Sequence, residues 1–371
     1  MNKPIRVLQV IGIMDRGGAE TMIMNLYRHI DRNIVQFDFV ENENDGAYFD
    51  EEIRSLGGQI YHCPRFTGMN YSAYKRWWKH FFDTHNDYSI VHGHIGSTAA
   101  FYLKEAEKHG IVTIAHSHSA GMKDMKQFFY DILSYPTRNI ADYLFMCSRQ
   151  AGISRYGEQA ISDPKRALLL PNAIDAEVFR YDRNLAGKKR HELAIDDDVF
   201  VVGHVGRFID AKNHSFLLDI FKEFVSIRSS ARLLIVGDGP LRSSIEEKIF
   251  ALGLEDKVIL TGMRSDVNEL MMAMDVLVFP SLYEGLPVTL VEAQCNGLPC
   301  VISDKVPSDS ILVPELVQVH SLNDTAAKWA ETALDCKCED RTCCADKVKA
   351  AGFDIEENAK WLEEFYLEKA R

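Results

Sequence analysis

Short apolar runs alternate with longer helical stretches along this chain, and the alternation comes in two successive series. That is the pattern of parallel sheets covered by helices on both faces. The first series places strands at 5–11, 35–40, 59–62, 90–92, 112–115, 143–146 and 167–170; the second places them at 199–205, 232–236, 257–260, 275–279 and 299–302. Between the two, 171–198 is rich in charge and turn formers, and 176–198 is predicted to connect a first domain, 1–175, to a second, 199–353. A chain of 371 residues with 46% hydrophobic content can bury two cores. The expected fold is therefore α/β, with two doubly wound Rossmann-like domains facing each other across a cleft.

Charge and cysteine usage narrow the function. Residues 1–170 are charge-balanced, so the net charge of −12 lies in the C-terminal half. A nucleic-acid binder would show a basic excess, and none exists here. The neutral half is the one expected to approach an anionic membrane surface. No run of eighteen apolar residues and no charged-then-apolar leader before Ile5 occurs, so a cytoplasmic protein is expected, peripheral at most at the inner face of the membrane. Eight irregularly spaced cysteines suggest reduced thiols. Cys336, Cys338, Cys343 and Cys344 lack the paired Cys-x₂-Cys halves of common zinc sites.

In open parallel sheets ligands gather beyond the C-terminal ends of the strands. Gly17 and Gly18 follow the first strand and open a helix at Ala19, where a backbone without side chains can approach a phosphate or a sugar. A plain tight turn would use them equally well. Gly206 and Arg207 follow the first strand of the second series, with Lys212-Asn213 close behind. The two cations suit a diphosphate, the guanidinium as a fork and the ammonium as a point charge. After the apolar run 276–279, Glu284 stands in a loop, and Gly285, Leu286 and Pro287 open a helix containing Glu292. The helix start presents unpaired N–H groups and a positive dipole end to an anion, and the two acids can grip different parts of one ligand. Acids near a helix start are also favourable without any ligand.

His92 and His94 follow one strand and His116 and His118 its neighbour, so four imidazoles are predicted near one rim of the cleft. Zinc ligation and hydrogen bonding to a polar ligand or backbone both fit; no cysteine or carboxylate completes a ligand set nearby, and His116 is the residue assigned to a ligand. The 71–82 segment mixes aromatic and basic residues at helical spacing, as an interfacial helix would, although a sheet-covering helix would bury Tyr74, Trp78 and Phe81 at the same intervals.

The ordered set Gly17-Gly18-Ala19-Glu20, Pro171-Asn-Ala-Ile-Asp175, Gly206-Arg207 with Lys212-Asn213, Gly237-Asp-Gly-Pro240 and Glu284-x₇-Glu292 resembles the retaining GT-B glycosyltransferases of family four, which include bacterial exopolysaccharide and capsule enzymes. The resemblance runs nearly the full length. It implies a metal-independent glycosyltransferase without a cofactor, acting on a nucleoside-diphosphate sugar, UDP-linked by expectation, and on a saccharide or lipid-linked saccharide acceptor. It further implies that Arg207 and Lys212 hold the diphosphate and Glu292 the ribose hydroxyls. Glu284, with the backbone of Gly285 and Leu286, would contact the transferred sugar, His116 would reach that sugar from the other domain, and Gly17 and Gly18 would lie near the phosphate and the acceptor entrance. The final helix, 354–371, would cross back to the first domain. The segment 304–320 lacks the glycine-rich turn common in the family. A nucleotide-sugar epimerase or hydrolase, or a non-catalytic nucleotide-sugar-binding partner subunit, would share this architecture. A dinucleotide-dependent dehydrogenase is disfavoured because no Gly-x-Gly-x-x-Gly follows the first strand.

Overall fold

The computed structural model describes residues 3–15, 17–42, 46–118 and 132–370. The chain divides into two compact units, Met1–Ala173 with Ile355–Arg371, and Ile174–Asp354. The first holds a parallel sheet in the order β3-β2-β1-β4-β5-β6-β7. Its strands are β1 Ile5–Val10, β2 Val35–Glu41, β3 Ile60–His62, β4 Tyr88–Gly93, β5 Val112–Ser117, β6 Tyr143–Met146 and β7 Ala167–Leu169. The second holds β10-β9-β8-β11-β12-β13, again all parallel. These strands are β8 Val201–Val205, β9 Arg232–Val236, β10 Val258–Leu260, β11 Val276–Phe279, β12 Cys300–Ser303 and β13 Val317–His320.

Strands buried on both faces explain why the apolar runs are continuous rather than alternating. In the first unit Val7, Phe37, Ile90, Ile114 and Phe145 enter one core with the helices Gly18–His29 and Ile355–Lys369. Their strand neighbours Leu8, Val40, Val91, Ala115 and Leu144 enter the opposite core, under Tyr71–Thr84 and Ala99–Lys108. Tyr74, Trp78, Phe81 and Phe82 are buried there, so the aromatic stripe is sheet-covering, while Lys75, Arg76, Lys79 and His80 point to solvent. Every predicted strand is found; β13, in the stretch 304–320, was not foreseen. It is a four-residue edge strand with Gln318 and Val319 exposed, so burial on one side only leaves it a weak pattern. Within the stretch expected to connect the domains, Ala176–Phe179 and Arg183–Glu192 are helices that belong to the second unit.

Each sheet has one topological switch point, β1/β4 in the first and β8/β11 in the second. At the second, loop packs directly on loop. Gly206 N–H donates to Val236, Phe208 N–H donates to Asp238, and a Cβ on Gly237 would lie 2.0 Å from the Gly206 carbonyl oxygen. Gly237 also has φ +138°, which disfavours any side chain. Gly237→Ala is therefore expected to cost the second unit about 3 kcal/mol or more, measured by urea unfolding. An unchanged midpoint would contradict this loop packing.

Candidate functional site

The loop after β8 is built to hold one ammonium group. Gly206 leaves room for the Lys212 side chain, whose methylenes lie 3.3 Å from where its Cβ would be. A turn at Asp210–Lys212 ends at Asn213, whose left-handed backbone (φ 53°) lets the helix His214–Ile227 begin. Asn213 Nδ2 donates to the Pro280 carbonyl at 3.1 Å, and Leu282 N–H to the Ala211 carbonyl at 2.8 Å, so the β8 and β11 loops are fastened together. Lys212 Nζ then donates to Glu284 Oε1 at 2.6 Å and sits 4.6 Å from the centre of the Phe279 ring. Both side chains are largely buried. An ammonium has three donors, so two remain after Glu284 is satisfied.

Arg207 is exposed and has no ion-pair partner among the described residues. The helix after β11 runs Val288–Cys295 with Pro287 at its cap, so it starts slightly later than Gly285 and Leu286, which lie in the approach to it. Glu292 sits more than a turn inside and is half-buried. Burial pushes its carboxyl up to about 7. At the second switch point, then, the fold brings together Lys212, Glu284 and the segment 285–287, with Arg207 in the same β8 loop as Lys212.

In the first unit, the Gly18–His29 helix has Gly17 at its cap, and Glu20 folds back so closely that a Cβ on Gly17 would lie 2.1 Å from its carboxylate. The four histidines form one stack. His92 lies in β4 and His116 inside β5 rather than beyond it. Ring centres are 4.5 Å apart for His92 and His94 and 4.1 Å for His116 and His118. His92 Nδ1 meets the Tyr366 hydroxyl at 2.6 Å and His92 Nε2 meets His116 Nδ1 at 3.1 Å. His94 Nδ1 meets His118 Nε2 at 2.7 Å, and His94 Nε2 meets Gln9 Oε1 at 2.8 Å. Burial holds His92, His94 and His116 well below the ordinary imidazole range, reinforced by the neighbouring rings; for His116 the Leu170 carbonyl opposes the shift. Burial takes His118 down to about 3. The rings are thus neutral near pH 7. Nitrogens of His92, His94 and His116 lie within 4.8 Å of one another, close enough for a metal ion. Most of these nitrogens already satisfy each other, however, as the hydrogen-bonding alternative requires. Sequence reasoning missed Gln9 and Tyr366; a lone glutamine inside an apolar strand was the available signal.

All eight cysteines are free. Burial, with Cys338 and Cys343 beside it, pushes the Cys344 thiol up to about 12, so without a bound ion it is protonated near pH 7. No helix among the described residues is long and apolar enough to cross a membrane.

Two Rossmann-like units, one with cations and an acid-bearing helix start at its switch point, have the arrangement in which open α/β sheets collect ligands. Residues 16–178 match the model of Glycosyltransferase Family 4 and residues 186–333 that of Glycosyl transferases group 1. Over 369 residues the chain is 36% identical to EpsF of Bacillus subtilis (strain 168), itself a provisionally assigned glycosyltransferase, covering 97% of this chain and 96% of that one. It is 26% identical over 226 residues, 58% of each chain, to the Escherichia coli UDP-Gal:alpha-D-GlcNAc-diphosphoundecaprenol alpha-1,3-galactosyltransferase. The crystal structure of Anabaena HepE in complex with UDP superposes with a TM-score of 0.80 at 16% identity, covering 98% of this chain and 100% of HepE. The chain belongs to the family-four glycosyltransferases of GT-B fold, and it is a glycosyltransferase.

Proposed function

We propose that this enzyme moves a hexosyl group from a UDP-linked sugar to a hydroxyl of a lipid-linked saccharide, a precursor of a cell-surface polysaccharide, with retention of anomeric configuration and without a metal. The observation that carries the reading is the Lys212 ammonium fixed by Glu284 at the β8/β11 switch point, beside the start of Val288–Cys295. Departure of UDP places negative charge on the diphosphate, and Lys212, Arg207 and the helix start supply fixed positive potential for it. Glu292 would take the ribose hydroxyls. Glu284, with the backbone at Gly285 and Leu286, would take the sugar, and His116 a sugar hydroxyl. Gly17 and Gly18 would let the chain approach the phosphate or the acceptor.

In the proposed step the anomeric carbon–phosphate oxygen bond breaks while the acceptor oxygen bonds to the same face, and the acceptor proton passes to the departing phosphate. The UDP complex of HepE and the diphosphoundecaprenol acceptor of the Escherichia coli relative support the two substrate classes. A lipid-borne acceptor would bring the enzyme to the inner face of the membrane, where the exposed Lys75 and Arg76 could meet anionic headgroups. The test is incubation of the purified chain with UDP-glucose or UDP-galactose and a short-prenyl diphosphate saccharide, with EDTA present. A transferred sugar with unchanged anomeric configuration by NMR supports the proposal. Conversion of the donor without an acceptor identifies an epimerase or hydrolase instead.

Glu292 adds a pH dependence. With its carboxyl titrating at about 7 in the free enzyme and needed as carboxylate by the ribose, UDP should bind about tenfold more weakly at pH 6 than at pH 8. Calorimetric titration checks this, and Glu292→Gln should bind weakly with no slope. The same slope in that variant would assign the titration elsewhere.

A further inference from the structure

The second unit carries another group of cations at the opposite edge of its sheet. Lys212 and Glu284 follow β8 and β11, whereas Asp197 precedes β8 and Ala273, Met274 and Asp275 precede β11. Strands of four or five residues put about 15 Å between the two edges. At the far edge lies a cavity of about 930 Å³ whose charged lining residues are Arg183, Lys188, Arg190, Asp197, Asp275 and Arg341. Small-molecule sites are commonly of this size. All six residues belong to the second unit.

Two of the cations are fixed side by side. Arg190 Nε donates to the Ala273 carbonyl at 3.1 Å and Arg341 Nη1 to the Met274 carbonyl at 2.8 Å, so the guanidiniums grip consecutive peptide groups. Arg190 also donates from Nη1 to the Asp197 and Val199 carbonyls and from Nη2 to Asp275 Oδ2 at 2.8 Å. Arg341 has no carboxylate partner among the described residues. Its Nε donates to the Asn296 carbonyl and its Nη2 to the Met271 carbonyl and the Asn296 amide oxygen, with the Tyr181 ring centre 4.2 Å from the guanidinium carbon. A guanidinium has five N–H donors, so each arginine retains one. Burial lowers Arg341 to about 10, with the Arg190 charge adding to the shift and Tyr181 and Asp275 opposing it. It therefore stays a cation near pH 7 beside a like charge. Asp275 neutralises only one of the two.

Arg183 and Lys188 lie on the same helix as Arg190, exposed, and their side chains have no partner among the described residues. Gly187 lines the cavity beside them. A Cβ there would meet nothing within 4 Å and its φ is not positive, so neither packing nor backbone geometry calls for a glycine that costs a helix interior about 1 kcal/mol. Its effect is to keep that wall open. Four cations against two carboxylates leave the lining with an excess of two positive charges, the charge of a phosphate monoester dianion. We propose that this cavity binds the phosphate group of a small phosphomonoester, held by Arg190 and Arg341 at the sheet edge and by Arg183 and Lys188 on the helix. Three terminal oxygens can accept from donors on different sides, whereas a carboxylate offers two in one plane and a neutral sugar leaves the like charges uncompensated. A soluble ester and the headgroup of phosphatidic acid present the same chemistry. The inference does not depend on the sugar-transfer reading, which concerns the other edge of the sheet.

Calorimetric titration of the full-length chain with glycerol 3-phosphate and with orthophosphate tests this. Lys212→Ala is titrated in parallel, and the same binding is expected in it, which sets aside any phosphate held at the other edge. The charge-reversed variant Arg183→Glu/Lys188→Glu changes only exposed side chains, so its melting temperature should match the wild type while its affinity falls about 100-fold. Asp197→Asn removes a repelling charge and should tighten binding about threefold. Acetate should bind about tenfold more weakly than orthophosphate, and equal affinities would overturn the phosphate assignment. The second arm is sedimentation with phosphatidylcholine vesicles, with and without phosphatidic acid. Sedimentation that needs phosphatidic acid and is lost in the charge-reversed variant makes the ester a lipid headgroup and supports the proposal. Binding of neither source, or binding that survives the charge reversal unchanged, overturns it.

Discussion

Lys212→Ala should lower kcat about a thousandfold and leave a folded protein. The ammonium is held in place before substrate arrives, by Glu284 at 2.6 Å and the Phe279 ring, so its loss removes a preorganised donor from the departing diphosphate. Stability does not escape untouched. The Glu284 side chain is 11% exposed, and without its cation the carboxylate is left poorly compensated, at about 1–3 kcal/mol. The double variant Lys212→Ala/Glu284→Gln should recover most of that stability and none of the rate, which separates the two effects. Arg207→Ala makes the complementary case: its exposed guanidinium has no ion-pair partner among the described residues, so the melting temperature should stay put while transfer falls about 100-fold. Undiminished transfer by the Lys212 variant would end the assignment.

The second large effect is on acid stability. His92, His94, His116 and His204 are buried and neutral with pKa values held well below 6.5, and His214 is lowered to about 4. Desolvation is the leading cause for each, with nearby imidazoles adding to four of them and Lys212 opposing the charged forms of His204 and His214. The unfolded chain takes up protons as pH falls below 6.5 and the folded chain does not, so stability contributed by these rings is lost in that direction. Glu41 and Glu292, both raised to about 7 chiefly by burial, act with the opposite sign, since the folded chain holds their protons and gains stability as pH falls toward 4.5. Six imidazoles, His118 among them, outweigh the two carboxylates, so stability is expected to fall between pH 7.5 and pH 5. A melting temperature that falls steeply from pH 6.5 to pH 5, and less steeply in His204→Leu, is expected from calorimetry. A flat profile would mean that these rings are hydrated.

The strands were legible because both faces of each sheet are covered, which makes Val7-Leu8 or Ile90-Val91 feed two cores at once and yields unbroken apolar runs. The edge strand β13 escaped because Gln318 and Val319 face solvent. At the site, placing Arg207, Lys212 and Glu284 at strand ends needed only the switch-point rule. That Lys212 and Glu284 touch could not be read, since 72 residues separate them. The hydrogen bonding of the histidine stack was further out of reach. One of its partners is the Tyr366 hydroxyl, 274 residues beyond His92. His116 was expected after β5, whereas the strand extends through Ser117 and holds the ring inside it.

The Ile355–Lys369 helix belongs to the first unit although the second unit intervenes. Its Tyr366 is fully buried against the β1–β2 core and reaches His92. The first unit therefore stays unfinished until residues 355–369 have left the ribosome, after the second, an uninterrupted stretch of chain, has emerged whole. A stop codon after Asp354 should spare the cationic half and strip the other of both its packing and the hydroxyl that meets His92.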